Sequence, residues 1–175
     1  NNAGVGFLAG FDEITAADIH TIVNVHLMGA IWMCRAAWKP MLQQGYGRIV
    51  NTTSGGMMGM PGMTVYGAAK FGIFGLTRGL AVEGAAHNIR VNALSPGAAT
   101  RNGTHHFTIP DPEAKQAFEH NFRPGLVSPA VAWLAHASCE VSGMLFHAGG
   151  SKVSSRQICM TEGIDDPELT IESVQ

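Results

Sequence analysis

Two short β-branched runs separated by a helical stretch constrain this chain more than any other feature. "GRIVNTTS" (47–54) and "NIRVNALSPG" (88–97) each read as a strand, the first bounded by glycines and the second ending in a turn. Residues 64 to 84 between them read as a helix. Ahead of the first strand, apolar residues fall at Ile19, Ile22, Val23, Leu27, Ala30, Ile31, Cys34, Ala37, Trp38 and Met41. That spacing predicts one helix, or two end to end, with a wide apolar face. Thr15 followed by Asp18 is a relative of the capping box, Gly45 is a natural stop, and Pro40 is expected to kink or shorten the last turns. Helix, strand, helix, strand is the order of an α/β protein with a parallel sheet and flanking helices.

The later chain is less regular. Residues 98–112 are polar and mixed and read as a loop. Ser128-Pro129 reads as a helix start, with the serine as cap and the proline first in the helix. "GMLFHAGG" suits a last strand, the periodicity from Ser151 onward is weak, and "DPELTIES" (166–173) resembles a helix start. The expected organisation is therefore a main unit over 1–150 and a tail over 151–175.

Charge and composition exclude several classes. At 175 residues the chain is the size of one domain, and a net charge of −2 with 14 % charged residues leaves no basic stripe for nucleic acid or an anionic membrane. No apolar run is long enough for a membrane span. Three scattered cysteines, Cys34, Cys139 and Cys159, point to a reducing, cytoplasmic setting. Eight histidines show no metal-ligand spacing, so no metal site is expected.

The chemistry concentrates between residues 52 and 72. Tyr66 and Lys70 are four apart, about 40° around a helix, and so share a face. A phenol is a poor base at neutral pH, but a nearby ammonium and a helix N-terminus both favour its phenolate. Ser54, at the end of the preceding strand, can hydrogen-bond an oxygen at the same point. Such a trio suits moving a proton on or off an alcohol oxygen while hydride leaves the carbon. Between Ser54 and Tyr66 lie Met57, Met58, Met60 and Met63 with four glycines. Methionines adapt to irregular shapes, as an apolar substrate pocket needs and as core packing also needs. Gly67, Gly72, Gly75 and Gly79 fall on the following helix, where each costs about 1 kcal/mol relative to alanine. Close helix approach, within the chain or across a dimer, would offset that cost.

On these motifs the chain resembles the short-chain dehydrogenase/reductase family. "NNAG" (1–4) is similar to that family's turn after the fourth strand. "YGAAK" (66–70) matches its Tyr-x-x-x-Lys, Ser54 its catalytic serine, and "NALSPG" (92–97) the segment before its cofactor-contacting turn. Three further stretches resemble the (3R)-hydroxyacyl-CoA dehydrogenase part of peroxisomal multifunctional enzymes: "RAAWKPMLQQGYGRIVNTTS", "GLTRGLAVEGAAHNIRVNALSPGAATR" and "VAWLAHASCEVSGMLF". The resemblance implies the C-terminal part of a Rossmann-like, doubly wound sheet. It implies hydride exchange between NAD or NADP and a secondary alcohol or ketone, with an acyl-CoA thioester as the subgroup's substrate, and a homodimer or homotetramer.

Catalytic residues carried over are Ser54, Tyr66 and Lys70. The slot that often holds a water-binding asparagine is His26, which could hold that water or be a satisfied core histidine. The cofactor's nicotinamide side would meet Asn2, Ala3, Gly4, Tyr66, Lys70, Pro96, Gly97, Ala99 and Thr100. The preceding βαβαβ half, with the phosphate loop and the residue choosing NAD or NADP, is not in the sequence, so the chain reads as a fragment. "GVGFLA" (4–9) fits G-x-G-x-x-A but has no preceding strand and no acidic residue about 20 positions on. A non-catalytic, dimerising interaction protein, or an inactive fragment of such an enzyme, is the other reading.

Overall fold

The computed structural model describes residues 1–6, 8–100 and 109–174. Thr15 caps the first helix, α1 (Ala16–Val23), by accepting a hydrogen bond from the Asp18 amide at 3.2 Å. A π turn over Asn24–Met28 then leads without a break into α2 (Gly29–Gln44). Gly45, left-handed at φ 63°, ends α2. Pro40 does not shorten this helix. Ala36 and Pro40 are both exposed, so the carbonyl that proline cannot serve is open to water.

Strand β1 (Gly47–Thr52) follows, then α3 (Thr64–Gly84) and β2 (Ile89–Gly97). α4 (Pro112–Asn121) and α5 (Ser128–Ala135) precede β3 (Leu145–Gly149). β4 (Lys152–Arg156) lies in the stretch whose periodicity is weak. The sheet has the order β1-β2-β3-β4, the first three parallel and the fourth antiparallel. β4 is reached through Gly150 (φ 56°) and Ser151 (φ 59°), the two positive-φ residues a tight hairpin turn requires. A short helix, α6 (Ile171–Val174), starts later than "DPELTIES" suggests.

Two other expectations are corrected. Ser128 does not cap α5. Val127 already has helical φ and ψ after a 3-10 turn over Pro124–Leu126, so Ser128 is the first helical residue and Pro129 follows it. β2 does not turn at its "SPG" end either, because Pro96 and Gly97 stay in the ladder opposite Ala148 and Gly149. Of the loop expected over 98–112, residues 101–108 lie outside the described residues, and Pro112 already opens α4 behind an Asp111 cap.

Both faces of the sheet are covered, as in a doubly wound fold. On one face Ile49, Ile89 and Val91 pack with Cys34 of α2 and Ala81 of α3. On the other, Leu94 and Ala148 pack with Val127, Ala130, Leu134 and Cys139 around α5. At the outer edge of β1, the Asn1 amine donates to the Val50 carbonyl at 2.9 Å and the Thr52 amide to the Asn1 carbonyl at 3.0 Å. These two bonds are a parallel bridge opposite Asn51. Asn1 therefore continues the sheet, and its side chain donates to Asn51 Oδ1 at 2.8 Å.

β2 and β3 approach closely at their carboxyl ends. A Cβ on Gly149 would lie 2.6 Å from the Gly97 carbonyl oxygen and 2.8 Å from its Cα. Backbone atoms cannot yield as a side chain does. Gly149→Ala is expected to destabilise the fold by about 1–3 kcal/mol, read as a lower urea midpoint.

Candidate active site

α3 carries Tyr66 and Lys70 to the carboxyl end of β1. Lys70 is 4 % exposed, its Nζ donates to the Thr52 carbonyl at 2.9 Å, and it lies 5.7 Å from the centre of the Tyr66 ring. Burial pushes its ammonium down to about 8. Among the described residues no carboxylate pairs with it.

Ser54 ends the strand segment and caps a 3-10 turn over Gly55–Met58, its Oγ accepting from the Gly56 amide at 3.2 Å. A Cβ on Gly56 would lie 3.5 Å from Tyr66 Cε1 and 3.6 Å from Ser54 Oγ. The serine and the tyrosine therefore border one spot, kept open by the lack of a side chain at position 56. The Gly67 position is equally tight, since a Cβ there would come 3.0 Å from the Gly56 carbonyl. The twelve-residue spacing from Ser54 to Tyr66 does not reveal the part Gly56 plays, because nothing in the motif separates it from its glycine neighbours.

His26 sits in the π turn, 4 % exposed, with its ring edge-on to Tyr66 at 5.0 Å and 88°. π turns of this kind concentrate at functional sites. Its Nε2 lies 2.7 Å from the Val5 carbonyl and 3.2 Å from the Val5 amide. The shorter contact fits the tautomer in which Nε2–H donates to that carbonyl. Burial lowers the histidine's pKa, the Val5 bond opposes this, and the Lys70 charge adds to it. A Cβ on Gly4 would meet His26 Cε1 at 2.8 Å, so the "NNAG" turn and the histidine are fitted to each other.

Ser54, Tyr66, Lys70, His26 and Gly4 thus come together, with Asn2 and Ala3 exposed beside Gly4. Pro96 and Gly97 lie at the carboxyl end of the neighbouring strand. The Ala99 amide donates to the Phe122 carbonyl at 2.7 Å, and Thr100 is exposed. The methionines divide between the two roles open to them. Met57 is buried with Phe74, Ala93 and Leu145, whereas Met58 is 65 % and Met60 39 % exposed. Met63 Sδ would lie 3.0 Å from a Cβ on Gly56, beside the serine and tyrosine. The loop is docked by a bond from the Ala9 amide to the Gly62 carbonyl at 3.2 Å.

Among the described residues no cluster of three histidines, cysteines or carboxylates could hold a metal. A separate, open concavity of about 560 Å³ lies between α2 and α3, lined by Trp32, Arg35, Trp38, Leu76, Leu80 and Glu83 among others. It includes none of the candidate residues.

A serine, a tyrosine and a buried lysine converging at the carboxyl end of a parallel strand define a class, and comparison with known proteins agrees. The profile described as "short chain dehydrogenase" matches residues 1–108. The chain belongs to that family. It is 39 % identical over 150 residues to peroxisomal multifunctional enzyme type 2 of Mus musculus, covering 85 % of this chain and 20 % of the mouse protein. It is 39 % identical over 154 residues to a short-chain type dehydrogenase/reductase of Mycobacterium tuberculosis, covering 87 % and 51 %. The solved full-length peroxisomal multifunctional enzyme type 2 of Drosophila melanogaster superposes with a TM-score of 0.85 at 30 % identity, covering 99 % of this chain and 31 % of that one. ElxO, solved with NADP bound, superposes with a TM-score of 0.70 at 25 % identity, covering 86 % and 64 %. The chain spans about half or less of the length of these curated relatives.

Proposed function

We propose that the complete protein is an NAD- or NADP-dependent oxidoreductase that interconverts a secondary alcohol and a ketone. The observation that carries this reading is Lys70. It is a buried cation that pairs with no carboxylate among the described residues, placed against a tyrosine ring, with one of its three N–H donors used on Thr52. The two remaining donors suit the ribose hydroxyls of a nicotinamide nucleotide. Asn2, Ala3, Gly4, Tyr66, Lys70, Pro96, Gly97, Ala99 and Thr100 would hold its nicotinamide side. When bound, the nucleotide supplies the hydride acceptor or donor.

The chain's own residues handle the proton. In the oxidation direction the Tyr66 phenolate accepts the alcohol's hydroxyl proton, and in reduction the phenol returns it to the ketone oxygen. Ser54 Oγ–H donates to that same oxygen and fixes it beside Tyr66. The Lys70 ammonium stabilises the phenolate across a buried, low-dielectric gap. His26 holds the Val5 segment and braces the Tyr66 ring.

The substrate in this reading is a 3-hydroxyacyl- or 3-ketoacyl-CoA thioester of medium or long chain, with Met58, Met60 and Met63 along the apolar part. The support is the exposed methionine loop beside Ser54 and the relatives whose names include peroxisomal multifunctional enzymes. The complete protein is expected to oxidise 3-hydroxyacyl-CoA thioesters with NAD or NADP. Turnover confined to small polar ketones would contradict that substrate class.

Assembly as a homodimer or homotetramer is part of the same proposal. A Cβ on Gly72 would meet Leu27 at 3.1 Å, so this glycine serves packing within the chain. Gly75 and Gly79 face open space, near the exposed Phe71, Val82 and Trp32. A partner helix against α3 would explain their retention. Gly79→Arg is expected to shift the particle to a lower mass in light scattering, and a wild type that is already monomeric would refute the assembly. No described helix is long and apolar enough to cross a membrane. The free Cys34, Cys139 and Cys159 support a reducing compartment, which we take to be the cytoplasm. Cell fractionation separates this from the peroxisome named in several relatives.

A further inference from the structure

Two segments far apart in the chain are tied together beside Ser54 and Tyr66. The first starts at Gly4 and Val5, which pack on and bond to His26, and His26 in turn stands edge-on to the Tyr66 ring. It meets the methionine loop at Ala9, whose amide donates to the Gly62 carbonyl at 3.2 Å. A Cβ on Gly62 would lie 3.7 Å from Leu8 Cδ2, so the Leu8 side chain lies against that loop. Met63, the next residue, reaches the open spot that Ser54 and Tyr66 border. The N-terminal segment is therefore fixed to the site at two points, through His26 and through Gly62.

The side chains it presents are apolar and open to solvent. Leu8 is 40 % and Phe11 70 % exposed, next to a loop that also exposes Met58 and Met60. Large apolar side chains gathered on a surface beside a site mark a place that takes a ligand or partner. The charges nearby narrow the choice. Phe11 sits in a tight turn in which the Glu13 and Ile14 amides both donate to the Gly10 carbonyl at 3.0 Å. A Cβ on Gly10 would lie 2.8 Å from Asp12 Oδ1 and 3.3 Å from Glu13 Oε2, so two carboxylates gather at this turn. Neither pairs with a cation among the described residues. Such a rim repels the phosphates of an anionic membrane and those of a CoA head alike. An uncharged hydrocarbon chain is the occupant it admits.

We propose that Leu8 holds the far part of the substrate's acyl chain against the methionine loop and sets the chain-length preference. The inference rests on the dehydrogenase reading and its acyl-CoA substrate. Ser54 and Tyr66 meet the reacting oxygen, which is the same in short and long substrates, so they cannot distinguish chain lengths. A short acyl chain ends near that oxygen and gains nothing from Leu8. Each further methylene that reaches Leu8 leaves water, and so does the leucine surface it covers. The substrate is thereby oriented as well, with its acyl chain toward Leu8 and its CoA head away from Asp12 and Glu13.

The test measures kcat/KM of the complete protein and of Leu8→Ser and Leu8→Met on 3-hydroxybutyryl-CoA and 3-hydroxyhexadecanoyl-CoA. Leu8→Ser is expected to lower kcat/KM about tenfold for the long thioester, mostly through KM, and less than about twofold for the short one. Leu8→Met, which keeps an apolar side chain, retains the wild-type ratio. Loss of the same size on both substrates, or on neither, overturns the proposal and leaves the dehydrogenase reading standing. A lower particle mass for Leu8→Ser in light scattering also overturns it, because the patch is then a contact between copies of the chain. A well-folded wild type that oxidises neither thioester overturns the acyl-CoA reading, and the role of Leu8 with it.

Discussion

Tyr66→Phe is expected to lower kcat of the complete protein by about 10²–10⁴-fold, the range for removing a positioned general acid/base. The substitution deletes one oxygen and leaves the ring. The ring is what the neighbours touch: His26 lies edge-on to it at 5.0 Å, Lys70 stands 5.7 Å from its centre, and Cε1 borders the space at Gly56. The urea midpoint and nicotinamide nucleotide affinity should therefore change little while the proton step fails. A variant that kept most of its kcat would show that another group moves the proton. Ser54→Ala is the natural comparison, since it keeps the tyrosine and removes only the second contact to the reacting oxygen.

Lys70→Met is expected to abolish activity and to stabilise the fold. The lysine's pKa is about 8 in the folded chain against 10.5 for the free side chain, and burial is the cause. Below pH 8 both folded and unfolded chains carry the proton, and the cost of burying the ammonium is fully present. Between about 8 and 10.5 the unfolded chain retains a proton that the folded chain has released, so wild-type stability rises with pH. At about 1.4 kcal/mol per pKa unit the burial cost is on the order of 3 kcal/mol. Loss of the bond to the Thr52 carbonyl takes back about 1 kcal/mol. A net gain of about 1–2 kcal/mol is expected at pH 7, together with loss of the alkaline rise. Urea titrations at pH 7 and pH 10 measure both. A variant less stable than wild type at pH 7 would mean that the lysine is held for packing.

How much of this was legible in the sequence depended on the range of the interactions. α3 and β1 followed from local pattern, and the Thr15 cap and the Gly45 stop from backbone chemistry within one turn. Tyr66 and Lys70 were readable because helix geometry alone puts them on one face. Ser54 was readable from its place at the end of a strand ahead of Tyr66 and Lys70, and the family pattern matched it. β4 was not foreseen, although Gly150 and Ser151 carry its turn. A strand at the sheet's edge has no buried face long enough to impose alternation, and its residues are mostly exposed. The Ser128 cap failed because a preceding 3-10 turn had already set Val127 helical, a contest between neighbouring segments that residue type does not record.

The most direct test of the central claim is NADH and NADPH binding to the complete protein, followed by nicotinamide fluorescence, with Lys70→Ala and Tyr66→Phe alongside. Saturable binding of at least one nucleotide is expected, clearly weakened by Lys70→Ala and nearly unchanged by Tyr66→Phe. A well-folded protein that binds neither nucleotide, or binds one with equal affinity in wild type and Lys70→Ala, would contradict it.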